Sequence, residues 1–290
     1  MNKPSAFSSE SDLPMKGGSS DPAMIDRLRE LIDQWRLEQR GRHKRIDEFA
    51  QIALGEAPTG APPLQDPELY FWPGLESHPF HDRTVSWMAE LEAAYPVIRA
   101  ELAGLLDAKI AFTPYAQGDD ARYRQKKFGL EEGSDRWSIY DLHEPAAESN
   151  CPRTVELLQH WFRAELGEPV TAQFSALRAG AHIPPHCGVS NVFLTAHLGL
   201  IVPQGCRIRV GNEQRSWREG GCFVFDDSFE HEAWNEGDSM RIVFIARFYH
   251  PALTELEIEA LGMLHERIST VVGENTAAQR ESLCSLRKSR

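Results

Sequence analysis

Two histidines and an arginine in the second half of the chain are the residues best suited to chemistry. His186 stands in Pro-Pro-His-Cys-Gly and His231 in Phe-Asp-Asp-Ser-Phe-Glu-His-Glu, and Arg241 lies ten residues later in Met-Arg-Ile-Val-Phe-Ile-Ala-Arg-Phe. Neutral imidazoles on neighbouring strands hold a first-row metal, and a guanidinium forks onto a carboxylate. A charge inside an apolar strand is expensive unless paired, so Arg241 asks for an anionic partner. Together the three point to metal-dependent chemistry with an organic acid as co-substrate. Pro184-Pro185 stiffen the backbone before His186, and the turn Asp226-Asp227-Ser228 precedes His231. Arg247, nearer the end of the same run as Arg241, is expected to reach solvent. Cys187 adjoins His186, but neighbours on a strand point to opposite faces, so Cys187 is expected to pack away from a metal.

The elements that must position these residues are short. Residues 171–177, 192–201, 207–210, 221–225 and 240–249 are β-rich runs, separated by turn signals such as Val202-Pro-Gln-Gly205 and Asn235-Glu-Gly-Asp238. Strands so spaced, without helices between them, indicate an antiparallel barrel or jelly roll, whose mouth accepts small ligands. Upstream, Asp21-Pro22 starts a helix carrying Ile25, Leu28, Ile32 and Trp35 on one stripe. Gly41 breaks it, and Ile46, Phe49, Ile52 and Ala53 mark a second helix ending near Gly55. Residues 57–66 form a Pro/Gly linker. Helical spacing returns over 83–106, broken at Tyr95-Pro96, and again over 154–166. Residues 137–142 are strand-like, and a polar helix from 254 to about 268 closes the domain. The expected organisation is a disordered 1–20, a helical extension 21–58, a main domain 66–264 and a tail 265–290.

The 290 residues, 41% hydrophobic and 26% charged, are ordinary for a soluble globular protein. A net charge of -12 argues against non-specific binding to nucleic acid or an anionic membrane. No apolar run is long enough to span a bilayer, and the start lacks a signal-peptide core. The five cysteines, Cys151, Cys187, Cys206, Cys222 and Cys284, show no CxxC spacing, which suits a reducing, cytoplasmic setting.

Several motifs recur in a recognisable order: Gly180-Ala-His-Ile-Pro-Pro-His186-Cys-Gly188, His197-Leu-Gly-Leu200, Trp217, Phe225-Asp-Asp-Ser-Phe-Glu-His231-Glu-Ala-Trp234, Arg241 and His250-Pro251. With Tyr70-Phe-Trp-Pro-Gly-Leu75 and Trp137-Ser138 upstream, this pattern resembles the aspartyl/asparaginyl β-hydroxylase family over roughly 66–264. The resemblance implies a mainly β fold with flanking helices, the double-stranded β-helix or cupin-like jelly roll. It implies an Fe(II)- and 2-oxoglutarate-dependent dioxygenase that uses O2 to hydroxylate a C–H bond. The favoured target is the β-carbon of an Asp/Asn-like amino acid, free, peptidyl or carrier-bound. Carried over by position, His186 and His231 become the iron ligands. Arg241 and Ser175 hold the distal carboxylate of 2-oxoglutarate, and His197 lies against the co-substrate near the metal.

Most such oxygenases place an acid two residues after the first histidine, where this chain has Gly188. A halide could fill the vacancy, as in 2-oxoglutarate-dependent halogenases. The family branch implies water instead, hydrogen-bonded by Asp227 from beyond the ligands. A non-catalytic, metal-binding cupin is a third reading, opposed by Ser175, His197 and Arg241. Gly188 favours this branch over lipid-modifying relatives that keep the acid. The animal members carry arginines where this chain has Phe193 and Thr195, so a less acidic or larger substrate is expected here. Arg136, Arg153 and Arg178 read as solvated surface charges. The helices of 21–58 cap the main domain or offer a place for a protein partner.

Overall fold

The computed structural model describes residues 22–40, 43–68, 70–81, 87–117, 121–164 and 171–268. The expected disorder of 1–20 and all but the first residues of the 265–290 tail lie outside the described residues. The chain divides into two compact units, one of 61–67 with 75–252 and one joining 1–60, 68–74 and 253–290.

The larger unit holds the strands. Thr113–Pro114 (β1), Trp137–Asp141 (β2), Thr171–Leu177 (β3), Phe193–Ile201 (β5), Cys222–Phe225 (β8) and Arg241–Tyr249 (β10) form a sheet in the order β1-β2-β3-β10-β5-β8. Ala181–His186 (β4), Cys206–Val210 (β6), Glu213–Ser216 (β7) and His231–Asn235 (β9) form a second, in the order β4-β9-β6-β7. Every pairing is antiparallel, and the connections cross between sheets. This is the expected cupin-like jelly roll. Sequence periodicity does not reveal most of the second sheet. β7 is polar and largely exposed, β9 is short, and β4 contains two prolines. Those prolines survive because β4 is an edge strand whose register shifts between Ile183 and His186, where no ladder donor is needed.

β10 shows why the sheet carries a site. Its even residues, Ile242, Phe244, Ala246 and Phe248, face outward and are fully buried in an apolar cluster with Leu194, Ala196, Leu198 and Phe174. Helices Met88–Ala93 (α3), Tyr95–Asp107 (α4), Pro145–Asn150 (α6) and Pro152–Ala164 (α7) line that cluster through Leu91, Leu102, Ala147 and Leu158. Burial of each large side chain there contributes about 1.5–3 kcal/mol. The odd residues, Arg241, Val243, Ile245 and Arg247, point the other way, between the sheets. Antiparallel register sets Ser175 opposite Val243, His197 opposite Ile245 and Thr195 opposite Arg247 on that same inner face.

The smaller unit is helical. Pro22–Gln39 (α1), Lys44–Ala53 (α2) and a helix over 255–268 (α8) bury Leu28, Ile32, Trp35, Ile46 and Phe49. Trp35 Nε1 donates to the Ala260 carbonyl at 2.9 Å, and Phe49 stacks on Trp72 with ring centroids 4.7 Å apart. Trp72 and Tyr70, motif residues in the sequence, therefore serve this helical core. α8 begins with a capping box, Thr254 and Glu257 exchanging backbone-to-side-chain bonds. The buried Glu257 carboxylate also accepts from Arg45 at 2.5 Å. Glu257→Ala is expected to cost about 3 kcal/mol by removing the buried partner of Arg45 and uncapping α8. Urea denaturation measures it, and a loss below about 0.5 kcal/mol contradicts the assignment. No described helix is long and apolar enough to cross a membrane.

Candidate functional site

His186 ends β4 and His231 begins β9, directly opposite in register, with ring centroids 4.0 Å apart. Each Nδ1 is 2.8 Å from the carbonyl two residues upstream, Pro184 for His186 and Phe229 for His231. Only a protonated Nδ1 can donate to a carbonyl, so the proton sits there and both Nε2 atoms keep a free lone pair. This is the tautomer a metal ligand needs. Pro184 thus serves twice, as a strand-edge stiffener and as the group that orients His186. Phe128, ending the helix Ala121–Phe128 (α5), closes edge-on against His186 at 4.8 Å. Lys127 beside it donates to the Cys187 carbonyl at 3.1 Å. α5 is too polar to show an apolar period, so the sequence hides it.

Burial drives the basicity of all three inward histidines down. His186 falls well below the ordinary imidazole range through burial, then the neighbouring His231 and Lys127. His197 does so through burial, Arg241 and His231. His231 is lowered by burial against an opposing pull from the Asp227 carboxylate. The unfolded chain therefore takes up protons below about pH 6.5 while the folded, metal-free protein does not. Its stability is expected to fall as pH drops through that value, by up to about 1.4 kcal/mol per pH unit for each imidazole. Urea melts from pH 7.5 to 5.5 test this, and a flat profile contradicts it.

Arg241 is 1% exposed, and its guanidinium stands 4.6 Å over the Trp217 ring. Burial pulls its pKa down to about 10. Among the described residues no carboxylate pairs with it, and its Nε has no hydrogen-bond partner. A cation–π contact contributes about 0.5–2 kcal/mol, whereas burying a charge costs several. The balance favours an anion docked on Arg241. Ser175 is buried nearby on β3, its Oγ accepting from Trp137 Nε1 at 3.1 Å, which leaves its own hydroxyl proton to donate. His197 Nδ1 accepts from Trp217 Nε1 at 3.3 Å, so its proton lies on Nε2. Trp217 thus supports two of the expected site residues. Gly199 of the His-Leu-Gly-Leu motif lets the chain carrying Trp217 approach, since a Cβ there would lie 2.9 Å from the Arg218 carbonyl carbon.

Asp226 and Asp227 divide the labour of their turn. Asp226, fully buried, accepts from Ser228 N at 2.9 Å and Gln65 Nε2 at 2.9 Å, with burial raising its pKa to about 8. Asp227 instead faces Gly188. The Gly188 N–H donates to the Asp227 carbonyl at 2.6 Å, and a Cβ on Gly188 would lie 2.6 Å from Asp227 Cγ. The Asp227 carboxylate occupies the space that a side chain at 188 would fill, and its charge acts on His231. Among the described residues no three His, Cys, Asp or Glu side chains are grouped to hold a metal. His186 and His231 are the pair that could hold a metal, and Asp227 stands outside that pair, turned toward Gly188.

One expectation is corrected. Arg247 does not reach solvent: it is 8% exposed, over the Phe193 ring at 4.9 Å, with Nη2 3.5 Å from Asp227 Oδ2. Its sequence position near a strand end concealed an inward side chain. Arg136, Arg153 and Arg178 are surface residues as expected.

A family model described as aspartyl/asparaginyl beta-hydroxylase matches residues 92–251. The chain is 34% identical over 204 residues to the aspartyl/asparaginyl beta-hydroxylase of Mus musculus, covering 67% of this chain and 26% of that protein. It is 32% identical over 250 residues to aspartate beta-hydroxylase domain-containing protein 2 of the same organism, covering 82% and 68%. Against the ornithine lipid ester-linked acyl 2-hydroxylase of Rhizobium tropici, identity is 35% over 186 residues, covering 61% and 62%. The chain thus spans about a quarter of the length of the first relative.

Proposed function

The chain belongs to the aspartyl/asparaginyl β-hydroxylase family, and from that premise we propose that it is an Fe(II)- and 2-oxoglutarate-dependent dioxygenase that hydroxylates a C–H bond. The observation that carries this reading is Arg241, a buried guanidinium with no carboxylate of the described protein to meet it. 2-Oxoglutarate would supply the anion that Arg241 lacks, leaving its 2-oxo acid end for a metal held by the histidine pair.

The residues present fit both groups. His186 and His231 would hold the iron through Nε2, their Nδ1 atoms being committed to carbonyls. Arg241 would take the distal carboxylate bidentately, with the Ser175 hydroxyl as a further donor. His197, proton on Nε2, would donate to the co-substrate near the metal. When bound, iron, 2-oxoglutarate and O2 supply the oxidising power, and the protein's own part is alignment and exclusion of water. Asp227 would hydrogen-bond a metal-held water through Oδ1, a buried atom with no partner among the described residues. A halide beside that carboxylate would be repelled, which supports hydroxylation over halogenation. The relatives' names cover an amino-acid residue and a lipid acyl chain. An amino-acid substrate, free, peptidyl or carrier-bound, is the reading adopted for this chain, acting in the cytoplasm.

The test is succinate formation from 2-oxoglutarate with Fe(II) and air. Turnover in the wild type that is lost in His186→Ala and in Arg241→Ala supports the proposal. Iron and 2-oxoglutarate both failing to bind the wild type contradicts it and leaves a binding module.

A further inference from the structure

Phe193 and Thr195 stand where arginines were expected from the family pattern, yet the inner face at this level is not short of cations. Arg247 enters it from the neighbouring strand. β10 and β5 set Arg247 directly opposite Thr195, so both side chains leave the sheet on the same side. Thr195 Oγ1 donates to Asp227 Oδ2 at 3.2 Å, and Arg247 Nη2 lies 3.5 Å from the same oxygen. Phe193, two residues before Thr195 and so on the same face, carries the Arg247 guanidinium over its ring. All three are buried, at 1%, 5% and 8% exposure for Phe193, Thr195 and Arg247.

We propose that Arg247, with Thr195, is the positioning element that holds the Asp227 carboxylate in the space Gly188 leaves open beside the histidine pair. The two carboxylate oxygens are treated differently. Oδ2 is held by the hydroxyl and faces the guanidinium, which fixes the plane of the carboxylate. Oδ1 is left buried against Gly188, two residues from His186. Without that grip the Asp227 side chain is free to rotate about its own bonds, and the oxygen turned toward the ligands is no longer defined. Phe193 keeps the guanidinium flat and dry, so the charge acts at Asp227 rather than in water. The arrangement replaces an acid in the metal's ligand set by an acid locked behind it, with the lock on a neighbouring strand. This inference rests on the reading that His186 and His231 hold a divalent metal, and its test separates the two.

The probe is Co(II), followed by its dissociation constant and its visible d–d absorption under anaerobic conditions, without turnover. Arg247→Gln and Asp227→Asn are each expected to weaken Co(II) binding about tenfold and to shift the d–d bands alike. The double variant is expected to be no weaker than either single one, because both remove the same interaction. Thr195→Val, which preserves shape, is expected to move affinity in the same direction by a smaller factor, and it carries the test should Arg247→Gln not fold. Arg247→Lys is expected to restore part of the affinity. If Arg247→Gln and Thr195→Val leave affinity and spectrum unchanged while His186→Ala loses Co(II), the positioning role is overturned and the metal site stands. If the wild type binds no Co(II), both readings fall together.

Discussion

Replacing Arg241 with methionine is expected to weaken 2-oxoglutarate binding at least about thirtyfold while leaving the fold as stable as before or more so. The two effects have one cause. Arg241 is a fully buried cation that meets no anion among the described residues, and Trp217 offsets only part of its burial. Deleting a guanidinium that forks onto a buried carboxylate costs about 2–5 kcal/mol of binding, or roughly thirty-fold to several thousand-fold in affinity. Methionine fills similar volume and needs no partner, so the apo protein stands to gain about 1–3 kcal/mol. Thermal melts with and without 2-oxoglutarate read both quantities. The wild type should be stabilised by the co-substrate with the logarithm of its concentration above Kd, and Arg241→Met should respond only at concentrations at least about thirtyfold higher. A variant that melts lower than the wild type and responds to the same 2-oxoglutarate concentrations contradicts this account of Arg241.

The second large effect concerns the metal. His231→Ala is expected to lower metal affinity by far more than the roughly 10–100-fold that follows loss of a group behind the ligands. Asp227→Ala is expected to stay within that smaller range. The contrast follows from geometry: the histidines present free Nε2 lone pairs, whereas the Asp227 carboxylate is turned toward Gly188 and held by Thr195. His231→Ala also strands the Phe229 carbonyl in a buried setting, at about 1–3 kcal/mol of stability. Isothermal titration of the apo proteins with Co(II) makes the comparison. Equal losses in the two variants would mean that Asp227 is itself a ligand, contrary to the two-histidine site.

Much of this site is legible in the sequence. Arg241 stands out because a charge interrupts an apolar β-run, an anomaly that asks for a partner, and His186 and His231 because each follows a proline or turn break between such runs. Ser175 and His197 carry no such signal; their assignment came from resemblance, and register then placed both on the inner face of the sheet that holds Arg241. Arg247 is legible by strand parity. It lies six residues after Arg241, an even number, so a strand that turns Arg241 inward must turn Arg247 inward as well. Nearness to the strand end does not override that parity, because β10 keeps its pairing with β3 and β5 through Arg247. Trp217 was visible as a motif residue, yet nothing in its neighbours shows that one indole supports both a histidine and a guanidinium across strands. The second sheet was obscured because β4 and β7 are held by their partners rather than by an apolar pattern of their own.

The helical unit shows a related limit. α1 and α2 were readable from their apolar stripes, but their association with α8 joins residues more than 200 positions apart, as in the bond from Trp35 to Ala260. Periodicity carries no information on such pairings. The boundary expected at 264/265 falls inside α8, which runs on to 268.

The central claim is that a histidine-held metal and a guanidinium-held dicarboxylate meet in this barrel. The most direct measurement is an anaerobic titration of the Fe(II)-loaded protein with 2-oxoglutarate, following the visible charge-transfer absorption of the chelated 2-oxo acid. A saturable band is expected in the wild type, absent in His231→Ala and requiring at least about thirtyfold more 2-oxoglutarate in Arg241→Met. No band in the wild type, with iron demonstrably bound, or a band that ignores both substitutions, would contradict the account.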